Sequence, residues 1–185
     1  MSRPLRADAR RNRARLLEVA DQVFTERGVG ASTEEVARAA GVGIGTVFRH
    51  FPTKQALLAA VLAARLERVA AEAEALTDEP DPGAALDRLV RLVVGHARAK
   101  NAYADALGGD IPGLKDEIRG RLKAAVAALL ARAQAAGAVR AELRPADLMA
   151  LLVGASRAVE ATADAAARDR VLGVVLAGLR PEATD

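Results

Sequence analysis

Thr46, Arg49 and His50 place a hydroxyl, a guanidinium and an imidazole within one short predicted helix. Groups of this kind donate to phosphate oxygens and pair with base edges. Lys54 follows in the first turn of the next predicted helix. A cation there opposes the helix macrodipole, so an anion such as a DNA phosphate would offset it. The chemistry on offer is recognition of a polyanion and not bond making.

The flanking residues supply the elements that would hold these groups. Ser32 followed by Glu35 is a capping-box pattern that starts a helix. Val36, Ala37 and Ala40 give that helix a small apolar face, and Gly41 ends it because glycine accepts the left-handed C-cap conformation. Val42 is placed to plug the turn. Val47 and Phe51, four apart, face inward and leave Thr46, Arg49 and His50 outward. Pro52-Thr53 breaks the second helix, and Thr53 caps the next. Residues 32–51 thus follow the plan of a helix-turn-helix, whose second helix enters the DNA major groove. The plainer alternative is a helical hairpin with solvated polar residues.

Charge is distributed to suit this reading. Residues 1–60 hold ten Lys/Arg and six Asp/Glu, net +4, whereas residues 61–185 are net −1. Six arginines, Arg10 among them, crowd the first fifteen residues with Asp8 as the only acid. A basic arm over residues 1–9, with Arg10 at its end, suits the minor groove or flanking phosphates. The first helix is expected to begin near Arg10, with Leu16, Leu17, Ala20, Val23 and Phe24 on its buried side.

Several function classes find no support. The chain has no cysteine and two histidines, and neither histidine stands in a Glu-x-x-His pair. Gly41-Val42-Gly43-Ile44-Gly45 has Thr46 where a dinucleotide-binding loop needs its third glycine, and no preceding strand. The expectation is therefore no enzyme, no metal and no cofactor. No N-terminal apolar h-region and no run of about 20 apolar residues is present. A cytoplasmic protein with no membrane partner is expected. Abundant Ala, Leu and Val with 2% aromatics favours helix over sheet.

Three stretches carry a resemblance: Phe24-Thr25-Glu26-Arg27-Gly28, Glu35 to Val42, and Gly45 to Leu58 with its Phe51-Pro52-Thr53-Lys54 boundary. Over about residues 10–60 they resemble the N-terminal domain of TetR-family regulators. The resemblance implies an all-α homodimer that represses transcription from a palindromic operator and releases DNA when a small-molecule effector binds. It matches Thr33 to a hydroxyl that contacts phosphate, and Ile44, Gly45, Thr46, Arg49 and His50 to the recognition surface. Lys54 matches a phosphate-contacting lysine. Two positions depart from the pattern. Phe48 stands where tyrosine is common, which removes a phosphate hydrogen bond. Glu34 stands where some members carry a basic residue, so it either points away or accepts from a cytosine amino group.

The expected organisation is an arm (1–9), a three-helix DNA-binding domain (10–56) and a helical-bundle ligand-binding and dimerisation domain (57–185), about nine helices in all. The fourth helix spans about Thr53 to Leu76. Asp78 to Gly83 is a linker stopped by two prolines and a glycine. A fifth helix is expected to Lys100, a short sixth over Asn101 to Leu107, a loop to Gly113, and a seventh from Leu114 to Ala136. Pro145 opens an eighth, to about Ala163, and Ala166 to Leu179 form a ninth. The last two are apolar around more than one face (Leu148, Leu151, Leu152, Val153; Val171, Leu172, Val174, Val175). Such helices are buried on more than one side, which points to a homodimer through the C-terminal pair. His96, Tyr103, Met149 and Arg157 are the candidates for effector contact, although core packing or a surface contact is the simpler role for each. The alternative function is an architectural DNA-binding protein with no sensor.

Overall fold

A computed structural model describes residues 3–108, 116–162 and 164–181, with side chains from Arg11 onward except that of Arg98. Among them every regular element is helical: α1 (Arg3–Arg27), α2 (Thr33–Ala40), α3 (Ile44–His50), α4 (Lys54–Ala75), a 3-10 turn (Leu76–Asp78), α5 (Pro82–Ala106), α6 (Asp116–Ala135), α7 (Pro145–Glu160) and α8 (Ala165–Leu179). The all-α expectation holds.

Two helices differ from expectation. The first begins at Arg3, not near Arg10, so most of the expected arm is helical. Ala and Arg are strong helix formers, and Pro4 falls in the first turn, where a missing N–H costs nothing. The expected fifth and sixth helices are one, α5. Asn101 is only a weak helix breaker, and its alanine-rich flanks carry the helix on to Ala106, after which Gly108, at φ +79°, closes the turn. Most of the loop expected up to Gly113 lies outside the described residues.

The chain folds as two compact units: residues 1–65 with 99–114, and residues 66–98 with 115–185. The N-terminal unit therefore extends along α4 to Arg65, beyond the expected boundary at 56, and takes the end of α5. Its core is Leu16, Ala20, Phe24, Val36, Val47, Phe51, Leu57, Leu62 and Tyr103. Phe24 meets Tyr103 edge to face at 6.1 Å, and the Arg65 guanidinium stacks over Tyr103 while bonding Asp21 and Thr25. A charged group is thus satisfied at the rim of an apolar core.

The C-terminal unit packs α6, α7, α8 and parts of α4 and α5 around Leu86, Leu89, Val90, Val126, Leu129, Leu148 and Leu176. Arginines fasten its edges. Arg121 bridges Glu67 and Glu74 of α4, the latter at 2.7 Å. Arg132 donates to the Thr77 and Glu79 carbonyls beyond the end of α4. Pro82 occupies the first turn of α5, where Asp81 accepts from the Ala84 amide at 3.0 Å. No helix among the described residues is long and apolar enough to cross a membrane.

Candidate nucleic-acid interface

The predicted helix-turn-helix forms as a locally determined unit. Ser32 Oγ accepts from the Glu35 amide at 3.2 Å, and Glu35 Oε2 accepts from the Ser32 amide at 2.8 Å. Arg27 adds a 2.8 Å bond to Glu35 Oε1. These bonds, the Ser32 amide first and Arg27 next, hold the Glu35 carboxyl below its ordinary pKa. At the other end Gly41 has φ +68°, with its amide on the Arg38 carbonyl and the Val42 amide on that of Ala37. This Schellman closure turns the chain into α3.

Helix α3 stands on two side chains. Val47 is fully buried, and Phe51 lies in the core under the Arg13 guanidinium, 5.0 Å from its ring centroid. The opposite face carries the expected groups: Gly45 and Arg49 are exposed, and Ile44, Thr46 and His50 half-buried. Thr53 Oγ1 accepts from the Ala56 amide at 3.0 Å and starts α4. Lys54 Nζ donates to the Gly30 carbonyl at 2.8 Å. Among the described residues a backbone oxygen 24 residues upstream, and not a side-chain anion, thus steadies this cation at the helix start.

Thr33 and Glu34 are arranged differently from a simple phosphate contact. Thr33 is 7% exposed, and its hydroxyl faces Glu34 Oε2 at 3.4 Å. Glu34 folds over the start of α2, where bonds to its own amide, then to Ser32 and Thr33, hold its carboxyl below the usual range. A phosphate contact by Thr33 requires Glu34 to release that hydroxyl. The Arg10 side chain lies outside the described residues. Sequence reasoning passed over Arg38, which is exposed on α2 and makes no ion pair among the described residues. It passed over Arg13 as a support for Phe51, because that contact needs the tertiary fold.

The C-terminal unit presents a second surface. Leu148, Leu152 and Ala155 of α7, with Leu172, Leu176 and Leu179 of α8, face its core. The other side of the same helices leaves Leu151, Val153 and Val174 exposed, Val174 at 74%. An open apolar groove of about 550 Å³ runs there between Leu151, Gly154, Ala158 and Val175.

The four effector candidates do not share one setting. Tyr103 is a core residue of the N-terminal unit, 2% exposed against Phe24, because α5 continues where a break was expected. His96 is exposed, with Nδ1 at 2.8 Å from the Leu92 carbonyl. Arg157 is exposed and paired with Glu160 at 3.1 Å. Met149 packs against the core of the C-terminal unit. No cluster of metal-ligating side chains is present among the described residues.

Comparison with known proteins places both halves. The model for bacterial regulatory proteins of the tetR family matches residues 16–61, and that for the C-terminal domain of SbtR-like transcriptional regulators matches residues 81–181. A TetR regulatory protein from Mycobacterium vanbaalenii is 43% identical, with a TM-score of 0.75 over 96% of this chain and 100% of that one. A TetR transcriptional regulator from Streptomyces coelicolor is 37% identical, with a TM-score of 0.74 over 92% and 99%. An HTH-type transcriptional regulator from Staphylococcus aureus is 43% identical over 54 residues, so that the match spans 29% of each protein. With both halves matched, the chain belongs to the TetR family of DNA-binding transcriptional regulators.

Proposed function

We propose that this regulator is a homodimeric repressor that reads a palindromic operator through α3 and leaves it when a small-molecule effector binds the C-terminal unit. The observation that carries this reading is the division of α3. One side is locked into the core by Val47 and Phe51, and the other offers Ile44, Gly45, Thr46, Arg49 and His50. With Lys54, these residues form the proposed DNA contact, to which Thr33 and Arg10 add phosphate contacts.

Dimerisation is supported by the outer face of α7 and α8. Exposed Leu151, Val153 and Val174 beside small Gly154 and Ala158 suit a second copy of the same pair. A twofold dimer requires half-sites about one helical turn, or a multiple, apart. Effector control is supported by chain continuity. Helix α4 contributes to the N-terminal unit up to Arg65 and to the C-terminal unit from Leu66. An effector that favours one setting of α4 shifts DNA affinity by its differential binding, typically ~1–3 kcal/mol.

The test is fluorescence anisotropy of the full chain on duplex DNA from its own upstream region, beside scrambled DNA, at physiological salt. Specific binding about 10³-fold or more tighter than on scrambled DNA is expected. Equal, salt-sensitive binding to every duplex tried would favour an architectural role and refute the repressor.

A further inference from the structure

The recognition helix carries an apolar ridge outside the core. Phe48 is 41% exposed, and among the described residues it is the exposed large apolar side chain of the N-terminal unit; the others are Leu151 and Val153 on α7 and Val174 on α8. Ile44 lies one turn before it, half-buried, so the two form an i, i+4 pair on α3. Between them Gly45 is exposed, and a Cβ built there meets nothing within 4 Å. The space over Gly45, beside this ridge, is therefore clear of the protein's own atoms.

Its surroundings select the partner. Arg49 and Arg38 are exposed and Lys54 half-buried, against the exposed carboxylate of Glu34, so the ridge rises from a net cationic surface that attracts phosphates. Phosphates and base heteroatoms give a phenyl ring and a sec-butyl group nothing to bond. The apolar feature that a B-form major groove does present is the thymine C5 methyl. Resting on the DNA-reading assignment above, we infer that Phe48 and Ile44 recognise thymine by its C5 methyl, and that Gly45 lets the base edges approach closely enough for this contact. Each half-site of the operator then carries at least one thymine chosen for its methyl and not for its O4.

The test separates this inference from the assignment beneath it. The full chain is used to select duplexes from a random-sequence library, and the enriched duplex is resynthesised with deoxyuridine at each thymine in turn. Removing one contacted methyl is expected to weaken wild-type binding about fourfold, the equivalent of ~0.8 kcal/mol for one buried methyl group. Phe48→Ala is expected to bind the thymine duplex more weakly and to become indifferent to deoxyuridine at that position. Phe48→Tyr, which keeps the ring, is expected to retain the sensitivity. Wild-type binding unchanged by deoxyuridine at every position would overturn methyl reading while leaving DNA reading intact. Failure to enrich any duplex would overturn both. The wild-type arm needs no variant to fold.

Discussion

Gly45→Ala separates the stability of the recognition helix from its use. Gly45 is the second residue of α3, its φ is not positive, and an added Cβ meets no atom within 4 Å. The folded chain accepts alanine without strain while the unfolded chain loses freedom, so the substitution stabilises by about 0.4–1 kcal/mol. For a chain of this length that is a rise in Tm of roughly 1–4 °C. On DNA the sign reverses. A methyl added where base edges pack closely costs about 1–3 kcal/mol, a loss of roughly five- to 150-fold in specific affinity. Gly41→Ala is the control: at φ +68° a side chain costs about 1–2 kcal/mol, so this variant loses stability. Differential scanning calorimetry gives the first quantity, and anisotropy on the selected operator the second. A Gly45→Ala protein that melts higher and binds its operator as tightly as wild type would refute the placement of this face against the bases.

Three further outcomes are expected. Arg49→Ala should lose about 1–3 kcal/mol on the operator with little change on random DNA, whereas Lys54→Ala should weaken both and reduce the salt slope by about one; titrations at three salt concentrations decide. Val174→Glu puts a carboxylate on a residue 74% exposed in the protomer, so it should leave the helical content and protomer fold intact yet convert dimer to monomer in sedimentation velocity. An unchanged dimer would move the interface elsewhere. Hydrogen bonding from Arg121 holds the Glu74 carboxyl below its ordinary value of 4.5, and so the pair stabilises above that pH and stops doing so as pH falls through the lower folded value. The Tm gap between wild type and Arg121→Gln should be widest near neutral pH and close in acid.

What was legible in the sequence was what is local. The Ser32–Glu35 box, the Gly41 closure and the Val47/Phe51 spacing each involve residues within five positions, and each appears as read. The two-sided apolarity of α7 and α8 was also visible, because burial of one side leaves Val153 and Val174 over. Distant contacts were not legible. Nothing near Lys54 announces the Gly30 carbonyl, nothing near Phe51 announces Arg13, and nothing near Tyr103 announces its partner Phe24, 79 positions away. The break expected at Asn101 failed for a related reason: weak local propensity yields when a neighbour two residues on is fixed in a core.

The passage of α5 into the N-terminal unit bears on how such regulators are recombined. Residues 99–106 supply Tyr103 to a core otherwise built from residues 1–65. A DNA-reading head is therefore not a contiguous segment of this chain. A chimera made by a single crossover after Arg65 would set a foreign residue against Phe24 and leave Arg65 without its ring. Exchange of DNA specificity between regulators of this kind calls for two transplanted segments, or for grafting the surface of α3 alone.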